Sequence, residues 1–411
     1  MRRSHSRRHA FGRTESGLAL LQRIFARFAT GSILVLFGSA LIAAAADAAV
    51  AYQLTAAHNA KITLKGGFAP PLTLLWARDL GGPVSYPLIA RGKVFVSVAN
   101  TIGNGTQLYA LRTNTGETVW HKLVGGRSNL ANIAYDDGQV FVLNSDGLIE
   151  AVDADTGNLA WAQFLYGQSF FTAAPVAHGG AIYAAGFGVG GTIYKVREFN
   201  GDISWSDIIQ AGDVSSPAVW QDGVYVSYSC DYYRFNTLTG LIDWHYQVGC
   251  EDGGGRTPVF AGGKVYIRNP KHSDAILDAA TGTLVGSFKS GAPPVLFEDS
   301  GTEYMIAFVG GAVQCLNMSN GATVWSFSGD GRLNSNPIVI NGYVMEGSGS
   351  GQLYMLDRLA GTVAWSTDVG APITDSGEGT NNAPWTGLGI ATGRTLFVPA
   401  SNQISAYVPQ N

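Results

Sequence analysis

The sequence predicts an all-β protein, an eight-bladed β-propeller of four-stranded antiparallel blades whose last blade is closed by the N-terminal strand. Three observations carry that expectation. Glycines 116, 157, 201, 240, 282, 321 and 361 recur in equivalent contexts at intervals of 41, 44, 39, 42, 39 and 40 residues. Tryptophan stands four residues after six of them, at Trp120, Trp161, Trp205, Trp244, Trp325 and Trp365; Gly282 alone is followed by a glycine there, Gly286. Short alternating runs fill the rest of each unit, and the last unit is one strand short. A period of about forty residues built from short strands marks an array in which each unit buries its faces against its neighbours.

The unit is clearest over residues 149–161, where an alternating strand runs into Asp153-Ala154-Asp155-Thr156-Gly157 and Trp161 follows. Glycine adopts the positive φ of a tight turn without steric cost, so two strands fold into a hairpin there. The first unit reads as strands Val84–Ile89, Lys93–Val98, Gln107–Arg112 and Thr118–Leu123. The second reads as Leu130–Ala134, Gln139–Leu143, Leu148–Asp153 and Leu159–Phe164. Pro87, Pro175, Pro217, Pro258, Pro294, Pro337 and Pro384 fall in the first strand of seven of the eight units. Proline lacks a ladder donor and is confined to sheet edges, so the first strand is the edge beside the axis. The final unit ends in Gln403–Val408 with three strands, and Leu72–Arg78, which carries Trp76 and has no hairpin before it, is its missing fourth. The propeller therefore spans 72–408, after an irregular, polar lead-in at 49–71.

Residues 1–48 read as a cleaved export signal. Seven arginines precede an apolar run from Ile33 to Ala46, and Ala46-Asp47-Ala48 is a small-x-small cleavage site. The run is short for a bilayer span, so no stable membrane span is expected after cleavage, a retained anchor being the other reading. No cysteine precedes Cys230, which leaves this end without a lipid-acylation site. The location expected is the periplasm or the extracellular space. The remaining residues carry 19 basic and 28 acidic side chains, a balance of −9. That surface does not suit a polyanion, which excludes nucleic acid as a partner class.

The Asp-Ala-x-Thr-Gly-x-x-x-Trp repeat, present at Asp153–Trp161 and in part at Asp278–Gly282, resembles that of the pyrroloquinoline-quinone-type β-propellers. The similarity covers about residues 72–408, and Tyr52-Gln53 with His58 resembles the segment that often precedes the first blade of that family. The family includes quinoprotein alcohol dehydrogenases, an outer-membrane assembly lipoprotein and many exported proteins. The resemblance implies that Trp76, Trp120, Trp161, Trp205, Trp244, Trp325 and Trp365 dock between neighbouring blades as scaffold. It also implies pyrroloquinoline quinone as a cofactor, held in the dehydrogenases over the axis with a calcium ion, a catalytic Asp and a disulfide of adjacent cysteines. This chain has no adjacent cysteines and lacks the long insertions that build such a site, so the residues present do not support that cofactor.

Three cysteines occur. Cys230 begins one strand of a hairpin and Cys250 follows the other, so a Cys230–Cys250 disulfide is expected, with Cys315 a buried apolar residue. Histidines 58, 121, 178, 245 and 272 are spread singly and read as surface or turn residues. No catalytic constellation and no metal-ligand spacing is legible. Gly186–Gly191 is glycine-rich but no helix follows to receive phosphate, so it reads as a hairpin loop. The charges concentrate instead in the loops that join one blade to the next. These hold Arg127, Phe170, Asp213, Glu251 with Asp252 and Arg256, Arg332 with Asn334, and Asp375 with Glu378, Asn381 and Asn382. Such loops emerge on one face around the channel mouth, where they present a binding surface to a protein or a small polar ligand; the other reading is that loops are simply where charge resides. The sequence thus describes an exported, monomeric, non-catalytic binding or scaffold propeller of the cell envelope or the extracellular space. The alternative is a quinone- or metal-dependent oxidoreductase.

Overall fold

The computed structural model describes residues 49–209, 215–228, 230–249, 255–269, 274–378 and 383–410. The expected signal at 1–48, together with Asp213, Cys250, Glu251, Asp252, Asn381 and Asn382, lies outside them. Among the described residues there is no helix, and so none long and apolar enough to cross a membrane.

Each repeat folds as its alternation dictates, into antiparallel strands ordered across the sheet as they occur in the chain. Eight such sheets form an eight-bladed propeller. The inner strands of blades 1 to 8 are Leu88–Ala90, Ala131–Asp136, Val176–His178, Ala218–Trp220, Val259–Ala261, Val295–Asp299, Ile338–Ile340 and Gly389–Ile390. Outer strands such as Leu159–Phe164 alternate between exposed and half-buried, whereas second strands such as Gln139–Asn144 are buried on both faces. Prolines 87, 175, 217, 258, 294 and 337 stand just before an inner strand rather than within it. The ring delays ladder pairing until the donorless residue has been passed. Blade 2, which has no such proline, keeps the longest inner strand, six residues.

The eighth blade draws its outer strand from the start of the propeller. Leu72–Asp79 pairs antiparallel with Gln403–Pro409, from Leu72 opposite Pro409 to Asp79 opposite Gln403. That pairing closes the ring and removes two open edges.

The glycine–tryptophan spacing has a steric cause. In six blade interfaces the indole of one outer strand lies against the turn glycine of the next blade. A Cβ on Gly116, Gly157, Gly201, Gly240, Gly282 or Gly361 would fall 2.5–2.8 Å from that ring. Each of these glycines also has positive φ, so no other residue satisfies both the turn and the stacking. The ring nitrogens of Trp76, Trp120, Trp161, Trp205, Trp244 and Trp325 donate at 2.6–3.2 Å to the carbonyls of Thr113, Ala154, Glu198, Thr237, Ala279 and Arg358, each three residues before the glycine. Aspartate opens the turn because its carboxylate collects the turn's donors. Asp153 Oδ1 accepts from Asp155 N, Thr156 N and Thr156 Oγ1, which holds its pKa below the ordinary value.

The lead-in, read from the sequence as irregular and polar, has little regular structure but is largely buried. Ala49, Ala51, Tyr52, Leu54, His58 and Ala60 are all buried. Its backbone carbonyls cover the free edges of the inner strands. Ala49 O accepts from Ile89 N, Val50 O from Tyr135 N, Ala56 O from Val219 N, Ala57 O from Phe260 N and Ala60 O from Val339 N, at 2.7–2.9 Å. Lys61–Ile62 then adds to blade 7 as a short parallel strand on Val339 and Ile340. The segment thus fills the axis and satisfies donors in five blades that would otherwise face an empty channel.

Candidate binding site at the axial mouth

The loops that enter blades 7 and 8 meet the side chain of Tyr52 in the lead-in. Tyr52, fully buried, donates through its hydroxyl to Glu378 Oε1 at 3.2 Å and accepts from Asn336 Nδ2 at 2.6 Å. The other oxygen of Glu378 accepts from Arg268 Nη2 at 2.5 Å, and the two side chains are only 5% and 4% exposed. Arg268 follows the second strand of blade 5, Lys264–Ile267, and also donates to Gly291 O at 3.2 Å. Burial, reinforced by the charge on Glu378, pushes the Tyr52 phenol well above its usual pKa and keeps it a donor.

Beside this chain lies a cavity of about 230 Å³, lined by Arg256, Arg268, Asn334, Asn336, Asp375 and Glu378, among others. Among the described residues the Arg256 guanidinium has no hydrogen-bonding or ionic partner. Ser335 also lines the cavity and donates to Glu346 Oε1 at 3.2 Å. Glu346 is fully buried, and its Oε2 has no hydrogen-bond partner among the described residues. Burial raises its pKa well above the ordinary carboxyl value.

Toward blade 4, the ring of His58 is flanked by Tyr52 O at 2.8 Å on Nδ1 and by Pro217 O at 3.0 Å on Nε2, with Ser216 Oγ at 3.2 Å. The carbonyls favour the imidazolium, yet complete burial outweighs them and lowers the pKa. His58 is therefore a buried structural pivot rather than the surface or turn residue expected. Trp385, which lies outside the repeat series, is fully buried at the axis with its ring 5.1 Å from that of Tyr52.

Of the residues singled out from the sequence, the cavity brings together Arg256 and Glu378, with Asn334 and Asp375 beside them. Arg127, Phe170 and Arg332 do not line it. Arg127 is exposed and pairs with Asp146 at 2.9 Å, and Phe170 stacks on Phe187 at 5.6 Å. Arg332 is exposed and donates its backbone N–H to Asp330. Cys230 is disulfide-bonded and Cys315 is free and buried. Sequence reasoning missed Arg268, Tyr52 and Glu346. Arg268 was detectable as a charge directly after an apolar strand, but Glu346 sits in a strand buried on both faces and gave no alternation to read.

Three successive stretches of the chain, residues 73–169, 145–295 and 309–411, match the family model described as outer membrane protein assembly factor BamB. The chain belongs to this PQQ-like repeat family of β-propellers. Repeated matching of one model is what an array of equivalent blades produces. Among relatives of the family, BamB of Moranella endobia (strain PCIT) is 26% identical over 249 residues, 57% of this chain and 56% of its own length. The chain spans about half the length of the curated relatives it matches. The crystal structure of BamB from Moraxella catarrhalis superimposes with TM-score 0.63 at 17% identity, over 82% of this chain and all of that one. The quinohemoprotein alcohol dehydrogenase from Comamonas testosteroni superimposes with TM-score 0.71 at 14% identity, over 89% and 82%. At those identities the two structures share the fold alone.

The quinone cofactor found in some members does not fit the mouth. Glu378 is already held between Arg268 and Tyr52, and one aromatic ring, Phe308, lines the cavity. Among the described residues no group of three His, Cys, Asp or Glu side chains could hold a metal ion.

Proposed function

We propose that the protein is an exported, non-catalytic propeller of the cell envelope that holds a protein partner on its inter-blade loop face. The observation that carries this reading is the Tyr52–Glu378–Arg268 chain, in which three buried ionisable side chains of the mouth are tied to one another. A catalytic acid or base needs to reach a substrate proton, whereas groups locked in this way shape a surface. Arg256 and Asp375 remain at that surface as charges for recognition. The family description, an outer membrane assembly factor, supports a finer reading in which the partner belongs to the machinery that assembles outer membrane proteins.

The test compares the full-length protein with Arg256→Ala and Asp375→Ala in cells. Cross-linking should join the parent protein to a discrete envelope component, and the double variant should lose that product while folding normally. Outer membrane protein content should fall in cells lacking the chain. Quinone- and calcium-dependent turnover by the purified protein, with no cross-linked product, would refute the proposal.

A further inference from the structure

The interface between blades 5 and 6 departs from the six just described. Where the outer strand of blade 5, Leu284–Phe288, should carry its tryptophan, it carries Gly286. The receiving glycine, Gly321, keeps its positive φ and its turn, but nothing lies within 4 Å of a Cβ placed on it. The carbonyl three residues earlier, which accepts an indole N–H in six other interfaces, belongs here to Met318, and no indole reaches it. The space is a cavity of about 650 Å³ walled by Ile276, Phe288, Leu316 and Met318. The ion pair of Lys264 with Glu303, at 2.9 Å, also lines it.

We propose that this slot is a binding site for the indole of a tryptophan carried by a partner polypeptide. The chemistry follows from its six counterparts: an apolar wall, a bare glycine face for the ring and a carbonyl acceptor for the ring N–H. Two features point to a polypeptide as the source. The slot opens beside an outer strand whose far edge has no neighbour in the sheet, so an extended segment can add there. Val285, which lines the slot, is 55% exposed, an apolar margin that a free indole would leave uncovered. A segment laid along this edge runs about 4.8 Å beyond the outer strand, so its indole reaches back across that strand into the slot. The site lies apart from the axial mouth and does not depend on the reading of that face.

The experiment is calorimetric titration of the full chain with a short extended peptide bearing one central tryptophan. Its arms are the same peptide with the indole nitrogen methylated, the same peptide with phenylalanine, and N-acetyl-tryptophanamide. Saturable binding of the parent peptide is expected, weakened about tenfold by methylation, the equivalent of one hydrogen bond. The Gly286→Trp variant fills the slot from within and should no longer bind. A Cβ at that position meets Ile276 at 3.4 Å, so the change is sterically open. No saturable binding, or equal affinity of the methylated peptide, would overturn the proposal. Equal affinity for N-acetyl-tryptophanamide would overturn the polypeptide source. Should Gly286→Trp fail to fold, the methylated arm decides the matter on the parent protein.

Discussion

Removal of Arg268 tests whether the axial mouth is held by a desolvated ion pair. In Arg268→Ala, Glu378 keeps its bond to Tyr52 but loses its only described cationic partner while remaining 5% exposed. Stripping one member from a buried pair costs about 3–5 kcal/mol, because the remaining charge is left without compensation. Loss of the donation to Gly291 O falls within that range. Replacing both members, as Arg268→Met with Glu378→Leu, removes the stranded charge and should be less harmful than either single change. Arg127→Ala serves as the control: its pair with Asp146 is exposed, and such pairs contribute about 0–1 kcal/mol. Urea unfolding reads the difference as a displaced midpoint at unchanged slope. If Arg268→Ala shifts the midpoint no more than Arg127→Ala, and the double change shows no coupling, the mouth is solvated and the pair does not organise it.

Other consequences are equally open to measurement. Trp244→Ala should lower stability by about 3–5 kcal/mol, since it removes a buried indole and its bond to Ala279 O. Tyr52→Phe should cost about 1–3 kcal/mol in the same unfolding assay, because Asn336 loses its acceptor and Glu378 a donor. Glu198 is 6% exposed, and its pKa is pushed up from 4.5 to about 8 by burial and then by Asp136 and Asp137. A raised carboxyl pKa favours the folded state below the ordinary value, and that contribution fades as pH rises from 4.5 toward about 8. The parent protein should therefore lose stability relative to Glu198→Gln across this window, by at most about 1.4 kcal/mol per pH unit. Equal pH profiles of the two would show that Glu198 ionises normally. Deleting Leu72–Asp79 should abolish cooperative unfolding by opening blade 8, and a truncated chain that melts like the parent would exclude the closure.

Legibility in the sequence followed the source of each interaction. The blades could be read because they rest on side chains that recur: the turn aspartate, the bare glycine under an indole, and the alternation of the strands. Closure by Leu72–Asp79 could be read because one unpaired strand matched one missing strand. The lead-in looked irregular because backbone carbonyls tie it to the inner edges, and every residue type supplies those equally. The mouth was only half legible. Loop charges at Arg256 and Glu378 stood out against a chain poor in charge, but the counterion of Glu378 lies 110 residues away at the end of an apolar strand. Periodicity aligns strands, and says nothing about which loop side chains meet across an axis.

The ring closure also sets the order in which the protein can be made. The outer strand of the last blade is among the first parts of the propeller to be synthesised, and its partner, Gln403–Pro409, among the last. The partners of the lead-in carbonyls are spread from Ile89 to Val339, so it is not fully anchored until most of the chain is available. Contacts of such long span make folding slow. An open stack of repeats can lose an end unit while the rest persists. A closed ring has no end to fray, so the native protein resists piecemeal loss, while any chain cut short before its last strand is left with exposed edges and an unfilled centre.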